Sequence, residues 1–189
     1  AAGHIYSRIS NPTVSYLEEK IALLEGGVGC LAASSGHAAT VNIVFNLCKQ
    51  GDHIVSSSKI YGGVYNLLSF TLPKYGINTT FIDPEASYEE ILNCVTEDTK
   101  MIFTEVLANP DLTITDVSKF ARVANKANVP YVVDNTLLTP ALYKPFEDGA
   151  HIVVHSGTKY FDGHGSSLSG FIIDSGQYDF SNGKFPEFV

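Results

Sequence analysis

The sequence predicts an α/β domain built on a mostly parallel sheet of seven strands flanked by helices. Three observations carry this. Short apolar runs alternate with segments of helical spacing along the chain. Most of these runs are continuous rather than alternating, as in strands covered on both faces. Polar turns follow the runs, at the edge where open parallel sheets bind ligands.

Strands are expected at residues 29–33, 53–57, 78–82, 100–104, 130–134 and 151–155. Helical patterns lie between them. Residues 13–25 set Leu17, Ile21 and Leu24 on one face, and a helix over 38–49 follows a Ser-Gly turn. Further helices are expected over 62–75 and 89–93, the second after Ser87 as N-cap. Residues 115–128 place Val117, Phe120, Ala121 and Ala124 at helical spacing. A seventh strand over 169–173 follows a glycine-rich loop too short for a helical crossover, so it is expected to run antiparallel.

The 189 residues suffice for one domain with a sizeable core. A net charge of −8 without any basic run argues against nucleic acid and anionic membranes as partners. No apolar stretch approaches the roughly 20 residues that span a bilayer. The first residues lack the basic-then-apolar pattern of a signal peptide, so none is expected. Cys30, Cys48 and Cys94 are an odd number without metal-ligand spacing and are expected as buried free thiols in a reducing cytoplasm. Both ends look unfinished. A polar arm from Ile5 to Pro12 has nothing before it to pack on, and the apolar tail Phe185-Pro186-Glu187-Phe188-Val189 has no evident partner. A large domain lacking a neighbour is therefore expected.

The chemistry is concentrated in Val153-Val154-His155-Ser156-Gly157-Thr158-Lys159-Tyr160. An apolar run stops, two hydroxyls flank a glycine, and a lysine follows. The amine is expected to be partly desolvated and available to condense with a carbonyl, beside hydroxyls and N–H groups that hold an anion. Lysine with an anion cradle points to pyridoxal phosphate. The other strand ends supply what that cofactor needs. Lys159 holds the aldehyde carbon, and Asp134 keeps the pyridine nitrogen protonated. Tyr61 stacks on the ring, and the Gly36 and His37 N–H groups bind phosphate with the Ser156 and Thr158 hydroxyls. Each feature taken alone has an ordinary reading: a surface lysine after a strand, a turn aspartate, a glycine turn that binds nothing. No metal site is expected. His151 and His155 stand about 13 Å apart on a strand at roughly 3.3 Å per residue, too far to share an ion, and His164 lies in a loop. A serine hydrolase is disfavoured because no Gly-x-Ser-x-Gly elbow occurs.

The chain resembles the pyridoxal phosphate-dependent enzymes of cysteine and methionine metabolism, the cystathionine γ-synthase-like group. The likeness runs through Tyr6-Ser7-Arg8-Ile9-Ser10-Asn11-Pro12-Thr13, Ser34-Ser35-Gly36, Tyr61-Gly62-Gly63, Asn109-Pro110, Val133-Asp134-Asn135-Thr136 and Ser156-Gly157-Thr158-Lys159-Tyr160. The resemblance implies a fold-type I large domain over residues 14–189. It also implies an arm over 1–13 whose Tyr6 and Arg8 contact the cofactor phosphate of a neighbouring subunit, within a homotetramer. It further implies that Tyr61 assists proton transfer and that Asn109 lies near the cofactor ring. Gly163-His164-Gly165-Ser166-Ser167-Leu168-Ser169-Gly170 and the closing Gly183-Lys184-Phe185-Pro186-Glu187-Phe188 are similar to the O-acetylhomoserine sulfhydrylase branch. That branch implies γ-replacement on an O-acylated homoserine with sulfide or a thiol, with a γ-lyase as the alternative. Leu137, Leu138, His37 and Val64 depart from common family residues and bear on substrate preference. The family's carboxylate-binding arginine lies in a C-terminal small domain that nothing here matches. That domain is expected to be absent from this chain, and a cofactor-binding or assembly fragment without turnover is the third reading.

Overall fold

The structure, a computed structural model, describes residues 3–188. Ala1 and Ala2 of the expected arm and Val189 of the expected tail lie outside the described residues. Seven strands form one sheet in the order β1-β7-β6-β5-β4-β2-β3. They are β1 (Gly29–Ala33), β2 (His53–Ser57), β3 (Asn78–Ile82), β4 (Thr99–Glu105), β5 (Tyr131–Asp134), β6 (Ile152–Ser156) and β7 (Gly170–Asp174). The pairs from β3 through β6 are parallel, whereas β7 runs antiparallel to both β6 and β1, as its short connection requires.

Helices cover both faces. α1 (Pro12–Glu25) starts where Asn11 Oδ1 accepts the Thr13 and Val14 N–H groups at 3.0 and 3.2 Å, with proline in the first turn. It stops at Gly26, whose φ of 87° suits only a residue without a side chain. α5 (Val117–Ala127) is capped by Asp116 through the Lys119 N–H at 2.9 Å and closed by left-handed Asn128. Its buried stripe is the one the spacing predicts. With Ile21 of α1, Phe120 and Ala124 pack on Tyr131, Val133 and Val153 to form the core on one face. α2 (Gly36–Leu47) and α3 (Gly62–Asn66) cover the other, where Val44 and Leu68 meet Phe103, Val132 and Val154. α4 (Tyr88–Asn93) carries the expected Ser87 cap with a reciprocal Glu90 bond.

Two expectations are corrected. The helix over 62–75 is not continuous: after α3 the backbone widens into a π turn over Leu67–Thr71 and then tightens into a 3-10 turn over Leu72–Tyr75. Pro73 has no N–H for the carbonyl four residues back, so an α-helix cannot pass through it. The aromatic tail also has a partner. Phe185 is fully buried in the α2-side core, its ring close to those of Tyr178, Phe180 and Phe188. A short helix, α6 (Thr139–Leu142), follows β5 and was not anticipated.

Candidate active site

β4, β5 and β6 are neighbours, and register places Glu105 beside Asp134 and Asp134 beside Val154. Their carboxyl ends therefore deliver Glu105, Asp134 and Ser156 to one edge. α2 crosses from β1, at one margin of the sheet, to β2 near the other, and its N-terminus opens at this edge. An added Cβ on Gly36 would sit 2.5 Å from Ser156 Cβ and 2.7 Å from its Cα, so only glycine lets α2 begin against the end of β6. The result is a cavity of about 750 Å³. Gly36, His37, Tyr61, Asn109, Asp134, Ser156, Thr158 and Lys159 all line it, so the structure brings together eight of the ten predicted site residues.

Asp134 is held rather than free. Its Oδ1 accepts the Thr136 N–H at 2.9 Å and the Thr136 hydroxyl at 2.5 Å, while Oδ2 has no hydrogen-bond partner among the described residues. Burial pushes its carboxyl above the ordinary range, and the Thr136 bonds and the charge of His155 pull it back. A carboxyl with one oxygen fixed, the other open and little water around it suits a cationic ring nitrogen. Thr136 Oγ1 also accepts the Ser156 N–H at 2.8 Å, so one hydroxyl ties the aspartate turn to the lysine turn.

The start of α2 and the turn after β6 together could hold an anion. Ser35 caps α2 through the Ala38 N–H at 3.0 Å, and the Ser35 carbonyl takes the Ala39 N–H. Gly36 and His37 are the first two residues of the helix, whose N–H groups have no intrahelical acceptor. The Ser156 hydroxyl has no protein partner among the described residues, whereas the Thr158 hydroxyl already bonds the Ser169 carbonyl at 3.3 Å. Tyr61 sits 51% exposed at the cavity, its ring folded against Gly63, where an added Cβ would meet it at 2.5 Å.

The expected desolvation of Lys159 is corrected. Lys159 and Tyr160 are exposed, because the turn after β6 projects into an open cavity rather than a sealed one. Tyr6 and Arg8 are not brought to the cavity of their own chain. They lie in the exposed arm with the guanidinium 5.0 Å from the tyrosine ring centre. The three histidines weighed for a metal are otherwise engaged. His151 Nδ1 accepts the Tyr131 N–H at 3.0 Å, His155 pairs with Glu25 at 2.8 Å, and His164 bonds within its own loop. Of the cysteines, only Cys48 is buried; Cys30 and Cys94 are partly so, and all three are free. Burial holds the Cys30 and Cys48 thiols up at about 12.

Sequence reasoning passed over Glu105. It is 4% exposed, lines the cavity, and accepts the Tyr61 N–H at 2.6 Å. Burial first, and the Asp134 charge second, push its carboxyl up, against the opposing pull of the Tyr61 and Asn109 N–H groups. It thus ties the Tyr61 turn to the sheet edge. A charged residue ending an apolar run was the available signal.

A lysine, a half-satisfied carboxylate and an anion cradle around one cavity of an α/β sheet fit pyridoxal phosphate, and they define a domain that binds it. The comparisons agree. The model of the Cys/Met metabolism PLP-dependent enzyme family matches residues 1–187, and the chain belongs to that family. It is 44% identical over 187 residues to an O-acetyl-L-homoserine sulfhydrylase of Leptospira meyeri, covering 99% of this chain and 42% of that protein. It is 36% identical over 178 residues to an L-methionine gamma-lyase of Treponema denticola, covering 93% of this chain and 44% of that one. A crystal structure assigned as an O-acetylhomoserine (thiol)-lyase of Campylobacter jejuni superposes with a TM-score of 0.90 at 38% identity. It covers 94% of this chain and 44% of its own, and it carries a pyridoxyl-lysine monophosphate. The chain thus spans somewhat under half the length of the relatives it matches.

Proposed function

We propose that this chain is the cofactor-binding part of an enzyme that replaces the γ-substituent of an O-acylated homoserine with sulfide or a thiol, giving homocysteine or methionine. The observation that carries the reading is the cavity itself. Lys159 is the one lysine among the described residues lining it, and Asp134, Tyr61 and the α2 N-terminus line it too. The sulfhydrylase names among the relatives, at higher identity than the γ-lyase, favour replacement over elimination.

Pyridoxal phosphate supplies an electron sink for charge developing on the substrate. The residues do the rest. Lys159 Nζ would hold the cofactor's aldehyde carbon and, once displaced by the substrate amine, take and return protons. Asp134 Oδ2 would face the ring nitrogen and keep it protonated. The Tyr61 ring would cover one face of the cofactor, its hydroxyl placed for proton transfer, with Asn109 at the ring edge. Gly36, His37, Ser156 and Thr158 would hold the phosphate. Tyr6 and Arg8, in an arm over residues 1–13, would serve a neighbouring subunit's phosphate, and residues 14–189 form the large domain. A homotetramer is supported by the exposed arm and by exposed Leu17, Leu24, Val28 and Leu31 on the α1–β1 margin. A cytoplasmic setting is supported by three unpaired cysteines. No described helix is long and apolar enough to cross a membrane.

Borohydride reduction of the loaded chain followed by peptide mass mapping should place the label on Lys159, and Lys159→Ala should abolish it. A label elsewhere sinks the site assignment. In the full-length enzyme, O-acetylhomoserine with sulfide should yield homocysteine faster than methionine yields its elimination products. The reverse order would assign a γ-lyase.

A further inference from the structure

Beneath the cavity, on the opposite side of the sheet from α2, lies a buried polar cluster that the proposed chemistry does not use. Glu25 closes the last turn of α1. Its Oε2 meets His155 Nε2 at 2.8 Å, with both side chains 0% exposed. Its Oε1 accepts Asn135 Nδ2 at 3.2 Å, and the same Nδ2 also donates to the Tyr143 carbonyl at 2.8 Å. A carboxylate sealed this way persists only when paired, and His155 is its sole ionisable partner among the described residues. The partners are placed tellingly. Asn135 directly follows Asp134, and His155 directly precedes Ser156 in the strand that leads to Lys159. The His155 ring packs edge-on against Phe161 at 4.8 Å, just beyond that lysine. Among the described residues His155 Nδ1 and Asn135 Oδ1 are buried without hydrogen-bond partners.

We infer that Glu25 is a positioning residue for the cofactor site: through its bonds to Asn135 and His155 it sets the turns that carry Asp134 and Lys159. The inference rests on pyridoxal phosphate occupying the cavity. It follows from the connectivity. One carboxyl, fixed on α1, bonds the chain on both sides of the catalytic edge. Without that carboxylate the Asn135 and His155 turns lose their common anchor, and Asp134 is held less firmly at the edge of the cavity. With pyridoxal phosphate bound, a less firmly held Asp134 would leave the ring nitrogen less protonated, and the lysine nitrogen joined to the cofactor would be more basic.

The test uses the 189-residue chain and Glu25→Gln, whose amide keeps the shape and one acceptor oxygen but turns the other into a donor and removes the charge. Binding of pyridoxal phosphate and the pH midpoint of its visible absorbance are measured, with circular dichroism as the folding control. The expected result is a folded variant with about tenfold weaker cofactor binding, the equivalent of about 1.4 kcal/mol, and an absorbance midpoint moved to higher pH. A folded variant with wild-type affinity and midpoint overturns the inference, as does lowered stability with both readouts unchanged, which would mark a merely structural role. If Glu25→Gln does not fold, the double variant Glu25→Gln, His155→Gln replaces the ion pair by a neutral amide pair. It should show the same midpoint shift, and a wild-type midpoint there also overturns the inference. Absence of any visible absorbance from the loaded wild-type chain would instead strike the cofactor-site reading.

Discussion

Replacing Glu105 by glutamine tests whether the site stores electrostatic strain. Glu105 is buried against Asp134, and its carboxyl is pushed from its ordinary 4.5 to about 8. A carboxyl whose folded value lies above its unfolded value favours the fold while protonated. That stability is fully present below pH 4.5 and is lost as the pH rises toward 8. At 1.36 kcal/mol per pH unit the full loss is on the order of 5 kcal/mol. Asp134, also raised by burial, shares the repulsion, so removing the Glu105 charge alone should recover about 2–4 kcal/mol at pH 8. Glutamine keeps an oxygen for the Tyr61 N–H, now held at 2.6 Å, so the turn itself is preserved. Denaturant unfolding of the cofactor-free chain at pH 5 and pH 8 measures the effect. Wild type should lose stability between the two, and Glu105→Gln should lose about 2–4 kcal/mol less. At about 2–4 °C per kcal/mol for a domain of this size, thermal midpoints at pH 8 should differ by roughly 5–15 °C. Parallel losses in the two proteins would refute the reasoning.

Two further substitutions probe the cradle. Gly36→Ala drives a Cβ into the Ser156 backbone; it should cost about 1–3 kcal/mol in denaturant unfolding and weaken pyridoxal phosphate about tenfold in an equilibrium titration. Thr136→Val removes the hydroxyl between Asp134 and the Ser156 N–H. It should cost about 1–3 kcal/mol, mostly from the stranded N–H, and lower cofactor affinity, both measurable in the same two assays.

Much of this molecule is legible in its sequence because its strands are buried on both faces. Runs such as Val132-Val133 and Val153-Val154 read as buried strands, and the polar residues just past them include Asp134 and Ser156 at the sheet edge. The strand order was not legible: nothing local says that β7 inserts between β1 and β6. Glu105 stayed hidden because burial and the contact with Tyr61 are tertiary facts. Glu25 was harder still, since it reads as one more charge on an amphipathic helix and its partners Asn135 and His155 lie more than a hundred residues on. The helix over 62–75 was misread because spacing continues through Pro73 where hydrogen bonding cannot.

The antiparallel β7 has a temporal consequence. Among the described residues β1 pairs with no strand but β7, and its register joins Gly29 to Asp174 and Ala33 to Gly170. Strands β2 through β6 can therefore assemble, bringing Asp134 and Lys159 to one edge, while β1 and the start of α2 are still unanchored. The long loop that the β1–β7 pairing must close is of the kind that slows folding. A nascent chain would thus place Lys159 before the start of α2 is anchored beside it, and closure of the cavity becomes a report that the last strand has docked.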